Sequence, residues 1–156
     1  MGINSGKYMV TQPKPGFVPD FFGPPAKLIE TTDMAYIDDE VLKGGRYVET
    51  VWFYKGSDEI AVYPHVHDFD EILGFFGSDP DHPEELGGQI EDTIDGEEYV
   101  ITRSCVLLVP KGVVHGPLYI RRVDRPFFHF ATGDAKLYHG ERGWSSRDTE
   151  PEGGTQ

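Results

Sequence analysis

Cysteine is nearly absent: Cys105 is the only one in 156 residues, so no disulfide framework holds this chain together. It sits in the apolar run Cys105-Val106-Leu107-Leu108-Val109 and reads as a small core residue rather than a nucleophile. Long hydrophobic runs are missing too, with nothing near the ~18 residues a membrane-spanning helix needs. The start, Met1-Gly2-Ile3-Asn4-Ser5-Gly6, has neither the charged nor the hydrophobic part of an export signal, so the expectation is a soluble cytoplasmic protein. Basic residues are scarce, 14 Lys and Arg against 27 Asp and Glu for a formal net charge of −13. That balance excludes nucleic acid and anionic membranes as partners held by bulk electrostatics.

The charge is uneven. Residues 58–98 carry many acidic side chains and no Lys or Arg, whereas Arg103, Lys111, Arg121, Arg122 and Arg125 follow. The acidic stretch reads as a solvated face that also favours cation entry. The length suits one domain with its own core. Residues 1–27, with Pro13, Pro15, Gly16, Pro19, Gly23, Pro24 and Pro25, form an irregular arm. Its Phe17, Phe21 and Phe22 would be costly to leave in water, so the arm is expected to pack on the folded domain or across a second subunit. Residues 28–139 are expected to form the folded domain, and 140–156 a polar, disordered tail.

Strands are expected around residues 26–30, 47–54, 60–67, 72–76, 89–94, 98–102, 106–109, 118–120 and 127–131, with a turn near 37–42. Asp95-Gly96 is a hairpin signal between two of them. The polar insertion 78–87 reads as a surface loop; its His82 and carboxylates lack the spacing of a calcium loop.

The informative residues are His65, His67 and Glu71, read as H-x-H-x-x-x-E, and Pro110-Lys111-Gly112-Val113-Val114-His115. His65 and His67 point the same way only on a strand, because a helix would hold them about 200° apart. Glu71 keeps their parity, and His115, after a turn, can close the site from across a sheet. Three imidazoles and one carboxylate suit a divalent first-row transition metal (Fe, Mn, Ni, Co or Zn) and leave positions open on an ion that accepts six ligands.

The two segments resemble the two motifs of the cupin superfamily, H-x-H with a following Glu and then Gly77, and P-x-G-x-x-H. Roughly residues 40–133 are covered. The motifs' leading glycines fall on Glu59 and Ser104, and Tyr119 stands where Asn is usual. The resemblance implies an all-β double-stranded β-helix, a small antiparallel barrel or jelly roll, with His65, His67, Glu71 and His115 as metal ligands. It also implies a homodimer, since such barrels commonly pair. The family includes dioxygenases, isomerases, decarboxylases, lyases and non-catalytic binding proteins. The expectation is a metal-dependent enzyme acting on a small oxygen-rich molecule, either an Fe(II) dioxygenase or a lyase, isomerase or decarboxylase; the alternative is a binding module without turnover.

Strand parity ranks the neighbours. Tyr63 shares the face of His65 and His67. On a regular strand, Tyr119 and Arg121 share the face of His115, and Arg121 would hold a carboxylate. His129 alternates with Phe128 and Phe130, so it is either a proton shuttle at the pocket or a polar residue facing solvent. Tyr47, Trp52, Phe53, Tyr54 and Phe75 are candidates to line the cavity. Catalysis is thus assigned to His129 and Tyr63, and substrate binding to Arg121, Tyr119, Trp52 and Phe75.

Overall fold

The computed structural model describes residues 7–27 and 31–142. A one-turn helix, α1 (Pro24–Lys27), precedes ten strands: β1 (Thr31–Ile37), β2 (Val48–Phe53), β3 (His65–Val66), β4 (Glu71–Phe76), β5 (Glu85–Ile94), β6 (Glu97–Arg103), β7 (Cys105–Val109), β8 (Tyr119–Val123), β9 (Phe127–Gly133) and β10 (Glu141–Arg142). Every strand pairing is antiparallel. One sheet has the order β1-β2-β9-β4-β7; facing it are β6-β5-β8 and the pair β10-β3. This is the all-β jelly roll that the motifs imply. Among the described residues no helix is long and apolar enough to cross a membrane.

Alternation builds the core. Along β2 and β9 every second residue is buried, which turns Val51, Phe53, Phe127 and Ala131 inward to meet Leu73 and Phe75 of β4 and Leu86 and Ile90 of β5. Asp95 and Gly96 join β5 to β6 with positive φ values of 52° and 77°, the two-residue turn whose twist matches the strands.

Several boundaries differ from expectation for local reasons. The first two residues of the strand expected at 26–30 belong instead to α1, which Pro24 and Pro25 open where a missing N–H costs nothing; residues 28–30 lie outside the described ones. The strand expected from Ile60 to His67 is reduced to β3 and a bridge from Val62 to Leu118, because Pro64 has no N–H to give a ladder. The insertion is shorter than expected, since β5 already begins at Glu85.

The arm lies on its own barrel. Phe17 packs on Tyr36 and Tyr138 at 4.5 and 5.6 Å, Phe22 bridges to Val62, and Phe21 stacks flat on His65 at 4.1 Å. Nor does the chain leave the barrel at residue 140: Glu141 and Arg142 pair with Val66 and His65. The disordered tail expected beyond falls on residues 143–156, outside those described.

Candidate metal centre

Alternation runs unbroken through the first motif, burying His65, His67, Phe69 and Glu71 while Val66, Asp68 and Asp70 turn outward. The second motif approaches by a turn at Pro110-Lys111-Gly112. There Gly112 takes φ +77°, Val113 N–H donates to the Pro110 carbonyl (3.1 Å) and Lys111 N–H donates to Asp70 (2.8 Å). His115 then faces His65 in a pair that exchanges both backbone hydrogen bonds, at 2.9 and 3.0 Å. Directly opposed residues of an antiparallel pair point to one side of the sheet, so the two imidazoles converge, ring centres 4.1 Å apart.

Each ligand histidine is oriented from behind. Nδ1 of His65, His67 and His115 donates to the carbonyls of Tyr63 (2.9 Å), His139 (2.6 Å) and Val113 (3.2 Å). A carbonyl can only accept, so each Nδ1 carries the proton and each Nε2 presents a lone pair inward. The Nε2 atoms of His65 and His115 are buried without a hydrogen-bond partner. Orphaned acceptors of this kind are what a metal satisfies. His67 Nε2 lies 3.5 Å from Glu71 Oε2, and His115 Nε2 lies 3.3 Å from Glu71 Oε1. One ligand atom from each of the four falls within 4.8 Å of the others; bonds of about 2.1 Å would space them about 3–4 Å apart, so small rotations close the cage. Among the described residues this is the one cluster able to hold an ion; His82 of the insertion lies 3.6 Å from Asp79 instead.

Burial keeps His65 and His67 neutral by pushing their pKa values down, the form a ligand requires. Burial would also depress His115, but the adjacent Glu71 outweighs it and raises the value.

A cavity of about 70 Å³ opens from the ligands. Phe75 lines it, as do Tyr47, Phe53 and His129. His129 stacks on Phe75 at 4.4 Å and donates from Nδ1 to the Gly74 carbonyl at 2.9 Å, leaving Nε2 toward the interior. Burial pushes its pKa down to about 4, which favours the neutral ring with Nε2 as an acceptor.

The other expected neighbours lie elsewhere. Arg121 and Tyr119 are on the outer face of β8, Arg121 bonded to Glu91 at 2.9 Å and resting on the Tyr119 ring at 3.8 Å. The parity assumed for them fails at Gly116, whose φ of +94° breaks the strand after His115 and turns Leu118 and Ile120 inward. Trp52 faces outward onto Phe128 at 5.5 Å, because Val51 and Phe53 hold the inner positions of β2; Tyr54 is exposed. The irregular backbone at Pro64 sends Val62 rather than Tyr63 to the cavity, and Tyr63 contributes its carbonyl to His65.

Three further groups matter. Glu49 and Asp92 are buried carboxyls lining the cavity from opposite sheets. Burial, then the nearby Asp33 and Glu71, pushes Glu49 up to about 8, and burial pushes Asp92 to about 7. Tyr138 brings its hydroxyl to 3.5 Å from His67 Nε2, and the Tyr47 hydroxyl donates to Glu71 at 3.4 Å. The signal for Glu49 is in the sequence: it breaks the apolar row Tyr47, Val51, Phe53 at a core position, as Asp92 breaks Ile90, Ile94.

No protein-family model and no curated protein matches the sequence. Solved structures are similar in fold. An oxalate oxidase studied for its mechanism is 14% identical at a TM-score of 0.49, over 84% of this chain and 68% of its own. A recombinant oxalate oxidase in complex with glycolate is 14% identical at 0.47 over 76% of this chain, which spans only 58% of that one. An RmlC-like cupin from Shewanella frigidimarina is 17% identical at 0.41, covering 68% and 76% of the two chains.

Glu49 gives the metal-free protein a measurable pH signature. Its ordinary value of 4.5 rises to about 8 on folding, so between those values the unfolded chain releases a proton that the folded chain keeps. Its contribution to stability is complete below the unfolded value and is lost as pH rises through about 8. Thermal unfolding of the apoprotein from pH 5 to 9 should therefore show the wild type losing more stability than Glu49→Gln, while Asp92 acts alike in both. Parallel profiles would show that Glu49 does not carry this proton.

Proposed function

We propose that this chain, a cupin in its fold and its ligand quartet, is a metal-dependent enzyme of the lyase or isomerase class that moves a proton on a small oxygen-bearing molecule. The observation behind this reading is that a carboxyl held near neutrality, Glu49, opens into the same 70 Å³ space as His65, Glu71 and His115. Perturbed carboxyls facing a ligand cluster mark acid–base chemistry. His65, His67, Glu71 and His115 would hold a divalent ion, which supplies a Lewis acid for a carbonyl or hydroxyl oxygen. Glu49, protonated at neutral pH, donates to a substrate oxygen or carbon. Asp92 faces the same space from the other sheet and can accept the proton. His129 offers a neutral acceptor that orients a hydroxyl, and the apolar walls of Val51, Phe53, Leu73 and Leu118 keep water out.

Proton transfer leaves an isotopic record. Protein loaded in turn with Mn, Fe, Co, Ni and Zn and incubated with small hydroxy-aldehydes and hydroxy-ketones in D₂O should exchange the hydrogen next to the carbonyl. Glu49→Gln should cut that exchange by about 10²–10⁴ with metal content unchanged. Oxygen consumption without exchange would move the assignment to the dioxygenase class, and neither would leave a binding module.

We also infer that two copies pair through the outer face of the five-stranded sheet. With Phe17, Phe21 and Phe22 of the arm taken up by their own barrel, the outer face of this sheet still presents Trp52, Ile72, Phe76, Val106, Leu108, Phe128 and Phe130, with no charge among the outward positions of β2, β9, β4 and β7. Five strands about 4.8 Å apart and about 20 Å long make a face of roughly 500 Å², before side-chain relief, against about 800 Å² per partner in a stable dimer. Leu108 and Val106 are 61% and 58% exposed on it. Sedimentation should give a dimer for the wild type and a monomer for Leu108→Lys; a monomeric wild type at high concentration would reject the pairing.

A further inference from the structure

The cavity's charge and size specify its ligand more narrowly than the reaction class does. No Lys or Arg lines it, whereas Glu49, Asp33 and Asp92 do in addition to Glu71. The arginines that could have served are held on the surface by carboxylates: Arg121 by Glu91 at 2.9 Å, Arg122 by Asp124 at 2.9 Å, Arg46 by Asp134 at 2.9 Å and Arg125 by Asp79 at 3.7 Å. A doubly negative ligand would meet no guanidinium or ammonium at its far end, and carboxyls on two sides instead. A divalent ion with Glu71 carries one net positive charge, enough to balance one negative charge on a ligand and no more. Buried charge left unbalanced is strongly disfavoured.

The walls set the size. An apolar cavity of about 150 Å³ accommodates benzene, so 70 Å³ takes about three non-hydrogen atoms beyond those that would sit at the ion itself. Four protein ligands would leave two positions on an ion that accepts six, which would suit a guest with two vicinal oxygens. The Glu49 carboxyl, on β2 opposite Ala131 of β9, which in turn faces Leu73 of β4, looks across the cavity toward the ligand end.

We propose that this site selects an uncharged or singly negative compound with two vicinal oxygens, such as a short hydroxy-carbonyl, and discriminates against dianionic acids because no cationic side chain faces their far end and the Asp33 carboxylate does. This rests on the reading above that the cavity is the ligand site of the metal centre.

Oxamide, oxamate and oxalate are nearly the same size and shape and carry zero, one and two negative charges, so they isolate charge. Calorimetric titration into the cobalt-loaded protein, with the visible absorption of cobalt reporting that the ion stays in place, should find oxalate at least tenfold weaker than oxamate. Hydroxyacetone should compete for the same site. In the Asp33→Asn variant the gap between oxamate and oxalate should narrow several-fold. Oxalate binding as tightly as oxamate to the wild type, or a gap unchanged in Asp33→Asn, would overturn the charge selection while leaving the cavity as the ligand site. If none of the four compounds binds or perturbs the cobalt spectrum, the ligand site itself is refuted.

Discussion

The structure depends on one constraint, the unbroken two-residue alternation from His65 to Phe75. It turns His65, His67, Phe69, Glu71, Leu73 and Phe75 to a single side, so that metal ligands and core are consecutive members of one row. A one-residue slip would send the ligands to solvent and the outer residues inward, which is why the apolar half of the row protects the register of the polar half. Opposite it, the His65–His115 pair converts register into geometry, since two mutual backbone hydrogen bonds bring the fourth ligand from a segment fifty residues away.

Around that row the protein supplies what a metal needs at little cost to folding. Three main-chain carbonyls settle the tautomers, and two of them belong to the residue two places before the ligand, so the strand orients its own histidines. The third comes from His139, which ties the chain's descent after β9 to the site. Phe21 from the arm covers His65, and Gly140 leaves room beside His67, where a Cβ would come within 2.8 Å of the ring. The two ends of the described chain thus form the outer wall of the centre.

What could be read in advance follows from which residues sit in regular backbone. The ligand quartet and the Asp95-Gly96 hairpin depend on short-range periodicity and turn chemistry, and both are legible. Parity misplaces Arg121, Tyr119 and Tyr63 because it runs across Gly116 and Pro64, the two points where the backbone stops alternating. Trp52 was assigned by residue type, although the burial of Val51 and Phe53 on the same strand forces it outward. Glu49 and Asp92 were hidden by number: in a chain with 27 acidic residues, two at core parity look like the rest until the rows are aligned. The role of Tyr138 and His139 depends on contacts across some seventy residues, which no local pattern carries.

The central claim is that His65, His67, Glu71 and His115 jointly hold one divalent ion. The most direct measurement is elemental analysis of protein purified without added metal, for the wild type and for alanine replacements of each of the four, with His82→Ala and His139→Ala alongside. The account predicts close to one transition-metal ion per wild-type chain, a sharp loss in each of the four variants, and wild-type occupancy in the last two. Full occupancy in His67→Ala and His115→Ala would contradict it.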